Sequence, residues 1–310
     1  MNVVYQNSIS NLPACVATVG IFDGVHAGHR YLIDQVKKHA LQKNVESVVI
    51  TFAKHPRSVL NESFKPELLN TLDEKIALLS TTGIDTCIVL EFNKEISNLT
   101  AQEFLQSILK KKYNVQSLFV GHDHRFGHNR TDGFPEYMKY GAEIGIEVIE
   151  AKRFSTSEFE YISSSKIREH IHNGDLISAN KLLNYNYSIK GTVVNGFKLG
   201  RKIGFPTANI MPDNFSKIIP PQGVYGVRII IDDSKFNGMM NIGTRPTIDT
   251  SLKTSLEVNI FDFDQDIYSK TVEVEFIQKI RSEKKFNGID QLIVQLVKDK
   301  TMVQEILSHS

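Results

Sequence analysis

The chain has 310 residues, of which 41% are hydrophobic and 23% are charged, as in a globular protein with room for two domains. Its 36 Lys and Arg residues nearly balance its 35 Asp and Glu residues, so no bulk charge attracts it to nucleic acid or membrane. Cys15 and Cys87 lie in apolar runs and predict no disulfide framework. The N-terminus lacks a signal-peptide pattern, and no apolar run approaches membrane-spanning length. We therefore expect a cytoplasmic protein.

Strands and helices alternate in the first half of the sequence. Two of the helical patterns start with capping boxes, Thr71 with Glu74 and Thr100 with Glu103, whose side chains satisfy free backbone donors. Short apolar strands separated by helices predict an α/β fold with a parallel sheet covered on both faces. The predicted strands are 14–21, 47–52, 85–91, 117–120 and 147–150, and the predicted helices are 30–44, 72–80, 101–113 and 134–144.

The pattern changes after residue 183, where strand-like runs follow one another with Gly and Pro between them. Residues 271–276 alternate apolar and charged side chains, which is the period of a half-buried strand. These runs predict a closed or nearly closed antiparallel barrel followed by a terminal helix, 289–307. An apolar stripe on that helix should pack on the barrel; it consists of Ile289, Leu292, Ile293, Leu296 and Val297. The predicted strands are 188–194, 223–232, 237–242, 256–263 and 271–278.

A strand, a tight turn and a helix start meet in residues 19–29, which read Val-Gly-Ile-Phe-Asp-Gly-Val-His-Ala-Gly-His. Free backbone N–H groups and the positive end of a helix dipole make such a junction a site for phosphate. His26 and His29 stand at this helix start and resemble the His-x-Gly-His signature of nucleotidyltransferases. Surface histidines, zinc ligands and ordinary turn glycines are the alternatives. Structural zinc commonly uses cysteine, and only Cys15 is near, so the context favours phosphate.

Two further polar segments follow predicted strands, and so lie at the same sheet edge as His26. The segment after the second strand carries His55, and the one after the fourth carries an acceptor, Asp123, and a donor, Arg125. A polar loop with ordinary turn glycines is the alternative for the segment after the fourth strand. The second segment also permits a metal site made by His122, His124 and His128.

A third polar segment, residues 162–168, reads Ile-Ser-Ser-Ser-Lys-Ile-Arg and precedes a helical pattern. Its hydroxyl groups, free backbone N–H groups and Arg168 suit a triphosphate, although serines at a helix start are often simple caps. Three segments suited to phosphate at one sheet edge together favour a nucleotide site.

The second half contains a loop of glycines and cations, residues 200–209, that suits phosphates. Thr207 and Asn209 offer oxygen ligands for Mg²⁺, which binds few protein groups together with phosphates and water. The alternative is an ordinary turn fixed by Pro206. Glu257 lies on a predicted strand and faces either solvent or a phosphate site. In the second case its carboxylate could accept the proton of an attacking hydroxyl.

Six motifs, in this order along the chain, resemble those of the bifunctional bacterial riboflavin kinase/FMN adenylyltransferases, also called FAD synthetases. The resemblance extends over about residues 12–300. It implies an N-terminal Rossmann-like nucleotidyltransferase domain, residues 1–184, and a C-terminal β-barrel kinase domain, residues 185–310. The motifs lie at residues 20–29, 121–127, 163–168, 204–209, 223–225 and 241–247.

For the first domain, the resemblance implies attack of the FMN phosphate on the α-phosphate of ATP, which gives FAD and pyrophosphate. It implies that His26 and His29 bind and stabilise the transferring phosphate. The other implied ATP contacts are Gly20, Phe22, Asp23, Gly24, Ser164, Ser165 and Arg168. The implied flavin contacts are His55, Asp123, Arg125 and Phe126.

For the second domain, the resemblance implies attack of the riboflavin 5′-hydroxyl on the γ-phosphate of ATP, with Mg²⁺ as cofactor. Glu257 matches the family's proposed base, and Thr207 and Asn209 match its magnesium and phosphate ligands. The implied partners are small molecules only, namely riboflavin, FMN, ATP, FAD and pyrophosphate, and the oligomeric state is not indicated. Further implied contacts are Gly200, Arg201 and Gly204 for ATP and Arg281 for flavin.

Several positions depart from the family pattern, but none removes an implied phosphate or proton-transfer group. His124 stands where the family commonly has Phe, and Lys54 where Pro is common. Residues 184–187 read Asn-Tyr-Asn-Tyr in place of Gly-Arg-Pro-Tyr, Asn259 replaces a common His, and Ser269 replaces a common Gly. Two alternatives stay open: a protein with only one active module, and a non-catalytic flavin or nucleotide sensor.

Overall fold

The structure, a computed structural model, describes residues 1–6, 12–61, 63–121, 124–128, 131–155, 161–196, 199–245 and 253–308. The chain divides into two compact units, Met1–Ser164 and Ser165–Ser310. The division into functional modules after residue 184 stays a prediction. Within the described residues, no helix is both long enough and apolar enough to cross a membrane.

The first unit alternates strands and helices, as the sequence predicts. Both predicted capping boxes are present, at the starts of the third and fifth helices. The strands are β1 (Asn2–Tyr5), β2 (Cys15–Val19), β3 (Glu46–Phe52), β4 (Thr86–Leu90), β5 (Val115–Val120) and β6 (Glu147–Glu150). The helices are α1 (Ala27–Lys43), α2 (Pro56–Leu60), α3 (Leu72–Ser80), α4 (Lys94–Asn98), α5 (Ala101–Glu103), which continues as a π-helical segment (Phe104–Lys112), and α6 (Phe134–Ile144).

The sheet of the first unit has six strands in the order β1-β4-β3-β2-β5-β6, and all its pairs are parallel. From β2 the chain adds β3 and β4 on one side and then crosses to add β5 and β6 on the other. This reversal brings the C-terminal ends of β2 and β5 side by side at a switch point, where open α/β sheets bind ligands. Strand β1, a four-residue edge strand beside β4, was not predicted from the sequence.

Apolar side chains cover both faces of this sheet. Ala17 and Leu118 belong to the core on one face, and Val16 and Phe119 to the core on the other. Because successive strand residues point to opposite faces, strands buried on both sides become nearly continuous apolar runs. This burial explains why the strands of the first unit could be recognised from sequence.

The second unit begins with two helices, continues with a strand-rich region that contains one short helix, and ends in a long helix. Its strands are β7 (Ser188–Val194), β8 (Ala208–Pro212), β9 (Gly223–Ile231), β10 (Ser234–Arg245), β11 (Lys253–Ile260) and β12 (Thr271–Arg281). Its helices are α7 (Ser164–His172), whose first residue ends the first unit, α8 (Leu176–Leu183), α9 (Leu199–Lys202) and α10 (Ile289–Ser308).

The strands of the second unit form a closed antiparallel barrel in the order β10-β11-β8-β7-β12-β9. Closure gives every strand a hydrogen-bonded neighbour on both sides. The predicted fold class, a parallel α/β sheet followed by an antiparallel barrel and a terminal helix, is therefore confirmed. The sequence analysis missed β8, which has only five residues and ends in Pro212, a residue type that is rare inside sheets.

Helix α10 packs on the barrel through part of the predicted stripe and through residues nearer its C-terminus. Val303 and Leu307 are buried in an apolar cluster with barrel side chains, and Leu296 of the predicted stripe packs against this cluster. Ile289 and Val297 are 64% and 52% exposed, so the prediction that they pack on the barrel is wrong. The stripe was therefore predicted correctly only in part.

Ser269 carries backbone strain that glycine would remove. Its φ is 63°, a left-handed conformation that costs most L-residues about 1–2 kcal/mol. Glycine adopts it freely but loses more entropy on folding. We expect Ser269→Gly to stabilise the second unit by about 0.5 kcal/mol, measured by calorimetric unfolding. Ser234→Gly, the same change in strand β10, should destabilise it by about 0.5–1 kcal/mol. Destabilisation by both changes would contradict the strain argument.

Candidate functional site

The turn after β2 has an unusual backbone. Phe22, Gly24 and Val25 have φ values of 52°, 88° and 36°. A positive φ is ordinary for glycine, but it is a clear outlier for a β-branched residue such as Val25. Such strain persists only where surrounding contacts enforce it, and it concentrates at functional sites.

Asp23 enforces this turn. Its buried carboxylate accepts hydrogen bonds from the backbone N–H of Leu69, at 3.1 Å to both oxygens, and from that of Asn70 at 3.0 Å. The Ser164 hydroxyl also donates to the Asp23 carbonyl oxygen at 2.8 Å. Asp23 and Ser164 therefore have a structural task in this turn. Their implied contacts with ATP stay predictions.

His26 and His29 form a stacked pair at the start of α1. The ring centroids are 3.6 Å apart with an interplanar angle of 15°, and His26 Nδ1 accepts a hydrogen bond from the backbone N–H of His29 at 3.3 Å. The Phe22 ring meets His29 edge-on at 5.1 Å. Side-chain space here depends on glycines: a Cβ on Gly20 would lie 2.9 Å from the Phe22 ring, and one on Gly28 3.2 Å from the His26 ring.

The electrostatic environment keeps the His29 imidazole neutral. Burial lowers its pKa well below 6.5, and electrostatic interactions with His26, Lys75 and His124 lower it further. Among the residues that the structure describes, His29 Nδ1 has no hydrogen-bond partner. The first turn of α1 contains no acidic residue, so the positive end of its dipole is not offset from within the helix. This helix start is suited to a phosphate group.

Lys75 is a charged residue of this site that the sequence analysis missed. It lies on α3, is 6% exposed, and directs its ammonium group to the ends of β2 and β3. Burial lowers its pKa to about 8, against the opposing effects of Asp23 and Cys87. Its burial could have been predicted from its position three residues after Leu72 and four before Leu79, on the apolar side of an amphipathic helix.

A cavity of about 110 Å³, open to solvent, lies at the C-terminal ends of the strands of the first unit. Its wall contains mostly apolar side chains and several aromatic rings, which suit a flat aromatic ligand. The Phe126 ring in this wall is fixed by stacking on Tyr137 at 4.1 Å. The other apolar wall residues, none of which the sequence analysis singled out, are Val19, Ile21, Phe52, Pro56, Leu60, Phe92, Ile96, Leu99 and Phe104.

The predicted flavin contacts are arranged around this cavity. Arg125 and Phe126 line it, together with His124. His55 precedes the wall residue Pro56 and caps helix α2, accepting a hydrogen bond from the backbone N–H of Arg57 at 3.2 Å. Asp123 and His122 lie outside the described residues. The proximity of these side chains supports a flavin role, which stays a prediction.

Ser165 and Arg168, the remaining predicted phosphate ligands of the adenylyltransferase, belong to the second unit. Ser165 is exposed and Arg168 half-buried on helix α7. Their predicted phosphate contacts stay predictions.

In the second unit, the barrel register places Glu257 between two amides. Glu257 on β11 pairs with Asn209 on β8 on one side and with Asn241 on β10 on the other. Directly paired residues of neighbouring antiparallel strands point to the same face, with Cβ atoms about 4.5–5.5 Å apart. In this arrangement the carboxylate can accept a hydrogen bond from a hydroxyl group. The flanking amides can donate hydrogen bonds to a phosphate group that reacts with that hydroxyl. Asn241 belongs to a motif that the sequence analysis quoted, but its position beside Glu257 depends on the register.

The glycine-rich loop before β8 packs tightly around the predicted ATP and magnesium ligands. A Cβ on Gly200 would lie 3.4 Å from Thr207 Oγ1 and would clash with the Phe205 carbonyl oxygen. Gly204 has a φ of 82°, while Arg201 is exposed. The loop therefore keeps its backbone close to Thr207, with a cationic side chain at its surface.

The donors around β8 fit Mg²⁺ better than a transition metal. Thr207 and Asn209 supply hydroxyl and amide oxygens, the kind of ligand that Mg²⁺ combines with phosphates and water. Across the described ranges, no group of three or more His, Cys, Asp or Glu side chains could hold a metal ion. His26 and His29 thus gain no third such ligand within those ranges.

Arg281, the predicted flavin contact of the second unit, is held in an ion pair with the buried Asp299. Its Nε donates to both carboxylate oxygens of Asp299, at 3.1 and 3.0 Å, and its NH2 group donates to Asp299 at 2.8 Å. Gln295 also donates to Asp299, at 2.8 Å. These contacts fix α10 to β12. The flavin role of Arg281 stays a prediction.

Comparison with known proteins places these features in a family. The FAD synthetase family matches residues 8–166, and the riboflavin kinase family matches residues 183–307. The bifunctional riboflavin kinase/FMN adenylyltransferase of Bacillus subtilis (strain 168) is 38% identical over 291 residues, which cover 92% of this chain and 90% of the relative. The chain belongs to this bifunctional family. The predicted family and enzyme class, a riboflavin kinase joined to an FMN adenylyltransferase, are confirmed.

Further relatives and a solved structure agree over nearly the whole length. The bifunctional enzymes of Haemophilus influenzae and Escherichia coli (strain K12) are 38% and 34% identical, covering 95% and 96% of this chain and 94% and 95% of the relatives. A crystal structure from Streptococcus pneumoniae, described as a macrolide-efflux protein, matches with a TM-score of 0.89 and 32% identity, covering 98% of this chain and 99% of that one. The efflux description applies to that protein.

The lowered pKa of His29 predicts a pH-dependent stability. Because the folded chain binds this proton less readily than the unfolded chain, stability rises with pH between the folded pKa and 6.5, and falls on acidification through that window. We expect His29→Gln to reduce the loss of unfolding free energy between about pH 7 and about pH 5.5. His39→Gln, on the same helix, is the control. An NMR titration showing His29 protonated near pH 6.5 would contradict the prediction.

Proposed function

We propose that this chain makes FMN and then FAD. The second unit transfers the γ-phosphate of ATP to riboflavin, and the first unit transfers the adenylyl group of a second ATP to FMN. One observation carries the proposal: a single chain holds a carboxylate flanked by amides, Glu257 between Asn209 and Asn241, and a separate histidine pair at a helix start. The first arrangement suits activation of a hydroxyl, and the second suits a phosphate that gains charge.

In the proposed kinase reaction, Glu257 acts as the base. The 5′-oxygen of the ribityl chain forms a bond to the γ-phosphorus of ATP while the bond from that phosphorus to the ADP oxygen breaks. The hydroxyl proton passes to the Glu257 carboxylate, which is half-buried on a rigid strand. Asn209 and Asn241, one on each side, orient the reacting groups. Positioning contributes more than covalent chemistry, as is general for phosphoryl transfer.

Thr207 and Asn209 would hold Mg²⁺ together with the ATP phosphates. The bound ion would offset the negative charge of the transferring phosphoryl group. The glycine-rich loop would contribute backbone N–H groups, with Gly200, Arg201 and Gly204 as ATP contacts. The exposed guanidinium of Arg201 is free to approach a phosphate from solvent.

In the proposed adenylyltransferase reaction, a phosphate oxygen of FMN forms a bond to the α-phosphorus of ATP, and pyrophosphate leaves. His26 and His29 donate hydrogen bonds to the phosphate as its charge increases, and the N-terminus of α1 adds its dipole. A neutral His29 imidazole can donate from one nitrogen without the cost of burying another charge. Gly20, Phe22 and Gly24 shape the turn against the nucleotide.

The aromatic cavity of the first unit would bind the flavin. Phe126 and the apolar wall would cover the isoalloxazine ring, while Arg125 and His55 contact its polar edge or phosphate. The proposed partners are riboflavin, FMN, ATP, FAD and pyrophosphate. The buried free thiols of Cys15 and Cys87 suit a reducing compartment such as the cytoplasm, where ATP is available.

Two incubations test the proposal directly. The purified chain is given ATP and Mg²⁺ with either riboflavin or FMN, and the flavins are separated by chromatography. FAD in both incubations is the expected result. Accumulation of FMN without FAD, or FAD only from supplied FMN, would leave one active module. No product in either incubation would favour a flavin or nucleotide sensor.

Replacing the base should separate the two activities. We expect Glu257→Gln to lower riboflavin phosphorylation by roughly 10²–10⁴-fold, because the amide cannot accept the proton. FMN adenylylation should be unchanged, since it takes place in the other unit. Glu273→Gln, the same change on barrel strand β12, should preserve both rates. Equal loss of both activities in Glu257→Gln would contradict the two-module assignment.

Replacing His29 should have the opposite effect. We expect His29→Ala to lower FMN adenylylation by roughly 10²–10³-fold through loss of one donor to the transferring phosphate, with normal phosphorylation of riboflavin. The control is His39→Ala, on the same helix, where His39 Nε2 lies 3.4 Å from a surface carboxylate, Glu147. Normal FAD formation by His29→Ala would show that this histidine has no part in the reaction.

A further inference from the structure

We propose that Lys75 is a positioning residue for FMN adenylylation. Its ammonium group joins the ends of β2 and β3. It thereby fixes the turn that carries His26 and His29, here called the histidine turn, beside the aromatic cavity. This inference rests on the proposed function of the first unit. It concerns a residue outside the motifs that carry the family resemblance. Lys75 reaches these strand ends from helix α3.

The ammonium group of Lys75 uses all three of its donors. Nζ donates to the carbonyl oxygen of Ile21 at 3.1 Å, to that of Phe52 at 2.9 Å and to Thr51 Oγ1 at 3.0 Å. The Thr51 hydroxyl in turn donates to the Ile21 carbonyl oxygen at 3.1 Å. The two strand ends are thus linked by a small closed network around one buried cation.

Each strand end leads directly into the candidate site. Ile21 precedes the strained turn that carries the histidine pair, and Phe52 precedes the segment that ends at His55. Both Ile21 and Phe52 also line the aromatic cavity. A shift of about 1 Å between reacting groups can lower a rate about 100-fold, so the link between these ends bears directly on catalysis.

Helix α3 is fixed to the turn from its other side as well. The residues just before it, Leu69 and Asn70, donate their backbone N–H groups to the carboxylate of Asp23 within the turn. Lys75 and Asp23 therefore connect helix α3 and the residues before it to the turn at two points, the Ile21 carbonyl and the Asp23 carboxylate. Loss of Lys75 would release one of the two connections while the apolar cores stayed intact.

The charge of Lys75 has a second effect, on His29. The titratable groups that face His29 are His26, Lys75 and His124, and all of them oppose its protonation. Asp23 and Cys87 face Lys75 itself, and its pKa of about 8 lies within the range of ordinary assays. As the pH rises through this value, Lys75 loses one donor and its charge, so adenylylation should decline over that range.

The test compares Lys75→Met and Lys75→Arg with the wild-type chain. We expect Lys75→Met to lower kcat for FAD formation from FMN by about 100-fold or more. Phosphorylation of riboflavin by the second unit should be unchanged and serves as the internal control for protein concentration, while circular dichroism and calorimetric unfolding show whether the first unit is folded. The matched control is Lys37→Met, since Lys37 also donates to a backbone carbonyl, that of Thr82, at 2.6 Å. Normal FAD formation by Lys75→Met would overturn the proposal.

Two further readouts distinguish positioning from general destabilisation. Lys75→Arg keeps its charge at high pH, so we expect its adenylylation to lose the decline that wild type shows as the pH passes about 8. We also expect an NMR titration to show a higher His29 pKa in Lys75→Met. If Lys75→Met does not fold, the pH profiles of adenylylation by the wild type and by Lys75→Arg test the proposal. Identical declines above about pH 8 in both proteins would overturn it. Absence of FAD formation by wild type would instead contradict the proposed function.

Discussion

The hydrogen bonds from the backbone N–H groups of Leu69 and Asn70 to the buried Asp23 carboxylate are the constraint on which the first site depends. Positive φ angles at Phe22 and Val25 cost about 1–3 kcal/mol each. Hydrogen bonds to a charged group contribute about 1.5–3 kcal/mol each. The two contributions are comparable, so the turn keeps its strained shape only while its carboxylate stays bonded. The strain is thus stabilised by contacts outside the turn.

The second unit positions its site by strand register. Asn209, Glu257 and Asn241 lie in one row across three neighbouring strands of a closed barrel. A shift of one residue between two strands would turn Glu257 to the opposite face from its partner. Closure of the barrel opposes such a shift, because the shift would break strand pairing elsewhere in the barrel. Groups held on rigid strands need little reorganisation when substrate binds. The two units therefore achieve the same preorganisation in different ways.

The features that sequence reasoning predicted are those encoded locally. Apolar strand runs, helical periodicity and capping boxes each depend on neighbouring residues, and the helices Leu72–Ser80 and Phe134–Ile144 follow their predicted bounds. Lys75 could not be assigned in this way, because a lysine in a helix usually extends to solvent and only the tertiary fold shows its carbonyl partners. The position of Asn241 beside Glu257 likewise depends on strand register, which turn geometry and packing determine.

Two departures from the family pattern, at Asn184 and Asn259, preserve the local backbone. Asn184, in place of a common Gly, ends helix α8 with a φ of 63°, and asparagine tolerates this left-handed conformation better than most residues. Asn259, in place of a common His, donates a hydrogen bond to the Pro206 carbonyl oxygen at 2.6 Å. That bond fixes the residue before Thr207, at the end of the glycine-rich loop. Because these substitutions keep the loop and the helix end in place, they argue for two working modules more strongly than for the loss of one.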